Sequence, residues 1–227
     1  ATKLEMTKLS VLQLDTHFPR IAGDVGCAET FQCELEIIRV PNMTVSEVVT
    51  DDPSQLDLCL FKDALSKATG DLVTTSCGFM APLQTVLEPY CKVGFVASAL
   101  VQLSYLSTLF SPQELSIITF DAAKFGGIHL PTDCKKFEQS IFGLDLSSHL
   151  RKVISNDLTI LDENMASDDL CCAFQKGTSS KTKAVLLECT NLPPYKSGIR
   201  RIKPIAIYDI LTAIESKLPN SVNPQFL

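Results

Sequence analysis

The sequence of 227 residues contains no tryptophan, only three histidines and no CxxC pair. His17, His129 and His149 cluster with none of the nine cysteines, so no zinc-ligand spacing is present and no metal is expected. No basic run occurs, and the formal net charge is -6. That balance excludes nucleic acid and anionic membrane surfaces as natural partners, although backbone dipoles can still bind an anionic metabolite. No glycine-rich nucleotide fingerprint, Walker loop or pyridoxal-type site is found, so no cofactor is expected. Apolar runs of bilayer length are also missing. The longest stretch, VGFVASALVQLSYL, is interrupted by Ser98, Gln102 and Ser104. The opening ATKLEMTKLS carries charges where an export segment needs an apolar core. These features read as a soluble, cytoplasmic protein. A disulfide framework is not expected, because the cysteine count is odd and the chain is long enough to bury a core without one.

What is present is apolar: 45% of the residues are hydrophobic, with mean hydropathy +0.18. Short apolar runs alternate with segments of helical period. LSVLQLD (9–15), ELEIIRV (34–40), DLVTTS and VGFVAS read as strands. A helix opened by Pro53 and ended by Gly70 lies between the second and third, and helices GFMAPLQTVLEPY and LVQLSYLSTLF follow the third and fourth. After Pro112 the pattern restarts with ELSIITFD (114–121), helical stretches at 132–141 and 145–155, the strands KAVLLEC and PIAIYD (204–209), and a last helix, ILTAIESKL. LCCAF (170–174) suits a strand or a buried helix equally. The tail KLPNSVNPQFL reads as a surface tail. Alternation of this kind predicts an α/β fold: two similar three-layer units with mostly parallel sheets.

Two cysteines stand apart. Cys77, in TTSCGF, and Cys189, in ECTNLPPY, each close an apolar strand and precede a helix start. Ligands of open α/β sheets bind outside the carboxyl ends of the strands. A helix N-terminus there favours thiolate over thiol, so both cysteines are expected to have lowered pKa values. Two such thiols facing each other across a cleft would remove a proton from one face of a bound carbon and return one to the other. A structural role for both stays open on spacing alone. Cys171 and Cys172 sit inside an apolar run and read as packing groups. The loop HFPRIAGDVGCAETF (17–31) follows the first strand directly, and a polar loop of that length reads as functional. Arg20 within it suits a substrate carboxylate, or an ion pair with Asp24 four residues on; His17 reads as a loop residue.

TTSCGF (74–79), LLECTNLPPY (186–195), LDTHFPRIAGDVG (14–26) and PIAIYDILTAI (204–214) resemble the motifs of the aspartate/glutamate racemase superfamily. The resemblance implies two similar α/β domains with the active site between them: residues 1–112 plus 205–227, and residues 113–204. It implies Cys77 and Cys189 as opposed acid/base thiols, with substrate contacts from Thr75, Ser76, Gly78, Thr190 and Asn191. It also places Asp15 and Thr16 near the substrate's amino group or the adjacent thiol, and implies a homodimer. The activity implied is a cofactor-independent racemase or epimerase of an amino acid or similar small carboxylic acid. A maleate-type cis–trans isomerase, a malonate decarboxylase and a non-catalytic small-acid-binding protein are the alternatives. The chain departs from glutamate and aspartate racemases in having Thr190-Asn191 after the second cysteine. It also places Phe120 and Asp121 after the second unit's first strand, where an acid would repel a dicarboxylate.

Overall fold

The computed structural model describes residues 6–227; the first part of the segment read as lacking an export signal, residues 1–5, lies outside the described residues. Among the described residues eight strands form two four-stranded sheets, parallel throughout. The first holds β1 (Lys8–Leu14), β2 (Glu34–Val40), β3 (Leu72–Thr75) and β4 (Gly94–Val96) in the order β2-β1-β3-β4. The second holds β5 (Leu115–Thr119), β6 (Ile141–Gly143), β7 (Ala184–Leu187) and β8 (Ala206–Tyr208) in the matching order β6-β5-β7-β8. The central strands β3, β5 and β7 are buried at every position, as strands covered on both faces must be.

The covering helices are α1 (Val45–Val48), α2 (Leu58–Lys67), α3 (Gln84–Leu87), α4 (Leu103–Leu109), α5 (His149–Ser155), α6 (Glu163–Gly177), α7 (Lys196–Ile202) and α8 (Ile210–Lys217). Side-chain caps start several of them. Asp57 accepts from Cys59 N–H, Asp162 from Met165 N–H, and Asp209 from the N–H groups of Leu211 and Thr212. Such caps satisfy amides that have no intrahelical partner. LCCAF (170–174) resolves as helix, inside α6.

Three sequence expectations need correction. The strand at 206–208 pairs with β7, so it closes the second sheet; the chain returns to the first unit at Asp209 rather than at 205. From there α8 lays Ile210, Leu211, Ala213 and Ile214 on Leu9, Val11, Leu72 and Val96 of the first sheet. A strand's sequence states that it pairs, not with which sheet. A buried ion pair, Lys196 Nζ to Asp209 Oδ2 at 2.7 Å, anchors this crossing to α7. The helical reading of 132–141 ends one residue early, because Ile141 opens β6 beside β5. The C-terminal segment is not a free surface tail: Val222 is buried, bridges to Phe31 and packs in the cluster with α8.

The shared strand order explains where a site forms. In each sheet the winding reverses between the first and third strands, so the loops after them diverge and leave a crevice. In the first sheet those loops carry Thr16–Arg20 and Cys77; in the second they carry Phe120 and Cys189. One continuous core runs beneath both, from Leu12 and Val73 to Ile118 and Leu187.

Candidate active site

The two cysteine loops are pinned before any ligand is considered. Ser76 N–H donates to Leu12 O at 3.0 Å, and Ser76 Oγ accepts from Leu14 N–H at 3.0 Å. Thr75 Oγ1 accepts from Cys77 N–H at 3.2 Å and donates to Ala97 O at 2.7 Å. On the other sheet Glu188 N–H donates to Ile118 O at 2.9 Å. Thr190 Oγ1 then donates to Ser76 O at 2.6 Å, joining one cysteine loop to the other.

These loops line a small pocket with about 20 Å³ of free volume. Cys77 and Cys189 both line it, 9% and 5% exposed respectively. Thr16, Arg20, Ser76, Gly78, Thr190 and Asn191 supply further wall, and Phe18, Phe79 and Phe120 supply its aromatic part. Arg20 is the cation among the lining residues. Its Nη1 donates to Asp24 Oδ1 at 3.0 Å and its Nη2 to Thr16 Oγ1 at 3.2 Å, while the guanidinium lies over the Phe18 ring. Its Nε–H is buried and has no hydrogen-bond partner among the described residues. Asp24 also accepts from Asn191 Nδ2 at 2.7 Å, and Asn191 Oδ1 accepts from Cys189 Sγ at 3.7 Å. The long loop therefore reaches the second thiol through Arg20, Asp24 and Asn191. Gly23, at φ 98°, makes this possible: its left-handed backbone lies against the Pro194 backbone with no room for a side chain.

The thiols are not the low-pKa pair that their place before helix starts suggests. Burial, and then the Glu188 charge, push Cys77 up to about 12, opposed by the Phe79 N–H and the Arg20 charge. Cys189 is raised well above its ordinary value by burial and by Glu188; the Asn191 N–H opposes this, and Cys77 and Asp24 add to it. The segment after Cys77 is a 3-10 turn, Gly78–Leu83, so its end charge is small beside the loss of water. The asymmetry still matters. Arg20 favours a thiolate at Cys77, and Asp24 opposes one at Cys189.

Glu188 is the residue that the sequence reading missed. It is 1% exposed and lines the cavity with both thiols, and among the described residues neither carboxyl oxygen has a partner in hydrogen-bond geometry, the Thr119 hydroxyl acting only from nearby. Burial pushes it up to about 8, with only the Thr119 hydroxyl acting the other way. Its signal was visible: a carboxylate closing an otherwise apolar strand, directly before a cysteine. Between its ordinary value of 4.5 and about 8 the unfolded chain loses this proton and the folded chain keeps it. Stability therefore falls as pH rises through that window. Glu188→Gln is expected to flatten the fall, raising Tm relative to the parent at pH 8 but not at pH 4.

Gly78 makes room for this carboxyl. A Cβ there would overlap Glu188 Oε1 and the Glu188 backbone carbonyl. Because backbone cannot swing aside, Gly78→Ala is expected to cost about 1–3 kcal/mol, read from the denaturant midpoint.

Of the expected site residues, Cys77, Cys189, Thr16, Arg20, Ser76, Gly78, Thr190 and Asn191 come together around the cavity. Two stand behind it. Thr75 holds the Cys77 loop, and Asp15 faces away, accepting from Arg39 Nη1 at 3.1 Å and from Asn42 N–H. Asp121, expected to repel an acid, is instead tied to Arg151 at 3.0 Å and does not line the cavity. His17 sits outside against Asp157. Among the described residues no cluster of three or more metal-ligating side chains occurs, and no helix is long and apolar enough to cross a membrane.

No protein-family model matches the chain. Among curated proteins it is similar to a dimethylsulfoniopropionate lyase of Durusdinium sp. clade D, 23% identical over 250 residues, covering 98% of this chain and 78% of that protein. It is also similar to dimethylsulfoniopropionate lyase 6 of Emiliania huxleyi, 25% identical over 240 residues, covering 96% of this chain but 61% of the relative's length. Among solved structures, allantoin racemase from Pseudomonas fluorescens superposes with TM-score 0.57 at 14% identity, over 96% of this chain and 94% of the other. Glutamate racemase from Campylobacter jejuni subsp. jejuni gives 0.54 at 15% identity, over 95% and 87%. Unliganded arylmalonate decarboxylase gives 0.51 at 12% identity, over 88% and 86%. The fold is thus the one that these racemases and the decarboxylase share, two similar α/β units.

Proposed function

Taking that racemase fold as premise, we propose that the chain is an enzyme that removes a proton next to a carboxylate without a cofactor, and that it does so as a lyase on a 3-sulfoniopropionate. The observation that carries the reading is the convergence of Cys77 and Cys189 on one pocket that the Arg20 side chain also lines. Arg20 anchors the substrate carboxylate. The Cys77 thiolate takes the adjacent proton, the C–H electron pair forms the new double bond, and the bond to sulfur breaks toward sulfur. Dimethylsulfoniopropionate would so give dimethyl sulfide, acrylate and one proton.

Two features favour this substrate class over a dicarboxylic amino acid. The cavity offers one cation, already matched by Asp24, so a second substrate carboxylate has no partner. Its walls are apolar and aromatic, which suits an onium group and an uncharged leaving sulfide. An onium also brings positive charge beside thiols that burial has raised, and so lowers the cost of making a thiolate. The similarity to the two lyases points the same way.

Racemisation or epimerisation of a small acid is the second reading, favoured by the retention of two thiols in one cavity. Maleate-type isomerisation needs a thiol to add covalently, and malonate decarboxylation needs one as proton donor; a binding protein needs neither. One experiment separates them. The protein is incubated in D₂O with dimethylsulfoniopropionate, small chiral acids, maleate and an arylmalonate, with headspace sulfide and proton NMR followed together. Release of dimethyl sulfide with acrylate supports the lyase. Deuterium exchange into a chiral acid without sulfide moves the assignment to a racemase, and silence across the panel would overturn both.

A further inference from the structure

We propose that Glu188 is the proton acceptor for the cavity's thiols: its carboxylate takes the Cys77 proton, leaving the thiolate that takes the substrate proton. The proposal rests on the reading of this cavity as a site of carbon-acid chemistry. The geometry behind it is specific. A carboxyl group is enclosed in the same cavity as two thiols, with both oxygens unpartnered, over a glycine whose missing side chain leaves it space. A buried polar group without a partner is costly, and a structural role gives no return for that cost here.

The charged and titratable groups around it are few. Cys77 faces it from the β3 loop and Cys189 follows it in sequence; Arg20 and Asp24 come from the β1 loop and are paired with each other. From the β5 loop, Asp121 is held by Arg151. His129 lies beyond Phe79, bonded to Thr50 O, and does not line the cavity. Among the three acids in the cavity, Glu188 at about 8 releases its proton before Cys77 at about 12. A carboxylate is therefore on hand in the cavity where Cys77 is still a thiol, and it takes the thiol proton in an uphill step, as a general base acting on a weaker acid does.

The proton balance of an elimination fits this arrangement. Cys77 S–H and Glu188 carboxylate become thiolate and carboxylic acid. The thiolate then takes the substrate proton and is S–H again, as dimethyl sulfide leaves. Glu188 is left holding the one proton that the reaction releases, and gives it to solvent when products depart. A racemase returns the proton it takes, so there the carboxyl would hold one proton throughout the cycle instead of exporting one per turnover.

The test needs no substrate. Alkylation of Cys77 by iodoacetamide is followed from pH 6 to pH 10 by peptide mass spectrometry, in the parent and in Glu188→Gln. In the parent the rate is expected to rise about tenfold per pH unit up to about pH 8 and then to level off over about the next unit, because the share of thiolate formed by internal transfer is then constant, before direct ionisation of Cys77 resumes the rise. In Glu188→Gln it should keep rising about tenfold per unit through pH 10. A parent rate that climbs without levelling overturns the proposal. So does a levelling that survives in Glu188→Gln. Should the variant fail to fold, carbon-13 NMR of labelled glutamate in the parent must show one carboxyl titrating near 8; its absence is equally fatal. A parent plateau without activity on any panel compound leaves this inference standing and sinks the lyase assignment. Activity without the plateau does the reverse.

Discussion

Cys77→Ala is expected to lower kcat by about 10²–10⁴-fold, the usual worth of a positioned general base, with little change in KM. Cys189→Ser should cost less. The reason lies in the surroundings of the two sulfurs. Cys77 has the Arg20 charge and the Phe79 N–H on the side of its thiolate. Cys189 donates to Asn191 Oδ1, and Asp24 stands behind that amide, so the site keeps it as a thiol. Elimination of a neutral sulfide needs one base and no acid. Steady-state release of dimethyl sulfide by the two variants checks this directly. Equal collapse at both positions would favour a two-base reaction and return the assignment to racemisation. A Cys77→Ala protein that keeps parent activity would remove thiol chemistry from the mechanism.

The pair of cysteines was readable from the sequence because two ordinary rules coincide there. An apolar run of strand length ends at Thr75 and again at Leu187, and a thiol follows each within two residues. Matched strand order then brings the two loops to one crevice. The protonation state was not readable. The dipole argument speaks of local backbone, whereas the shift is set by burial, which depends on loops far apart in sequence. Glu188 escaped for a related reason. In LLECTN the carboxylate stands out at the end of an apolar strand, but only the packing of Gly78 against it shows that it turns inward. The resemblance placed Asp15 and Thr75 at the substrate as sequence neighbours of the site. At a strand end neighbouring side chains point to opposite faces, so adjacency gave half of them the wrong direction. The assignment of residues 206–208 to the first unit failed because period-two patterning carries no information about which sheet supplies the partner.

Arg20 allows the substrate-anchoring and structural readings of the loop to be separated. Its guanidinium is 8% exposed and bound to Asp24, which is buried as well. Arg20→Ala strands that carboxylate and is expected to cost about 3–5 kcal/mol of stability. That loss alone cannot reveal a catalytic function. Arg20→Lys can. A lysine keeps one charge for Asp24 but has no second arm for Thr16 and no planar Nε–H to offer a carboxylate. If Arg20 anchors substrate, Arg20→Lys should remain folded, with a denaturant midpoint much closer to the parent than that of Arg20→Ala. Its KM should rise about tenfold or more, the loss of one charge-assisted hydrogen bond of about 1.5–3 kcal/mol, while kcat changes less. A KM equal to the parent's would assign the residue to the ion pair alone. The carboxylate would then have to be held by the backbone amides around Gly78 and Thr190, and the apolar wall formed by Phe18, Phe79 and Phe120 would become the main source of selectivity.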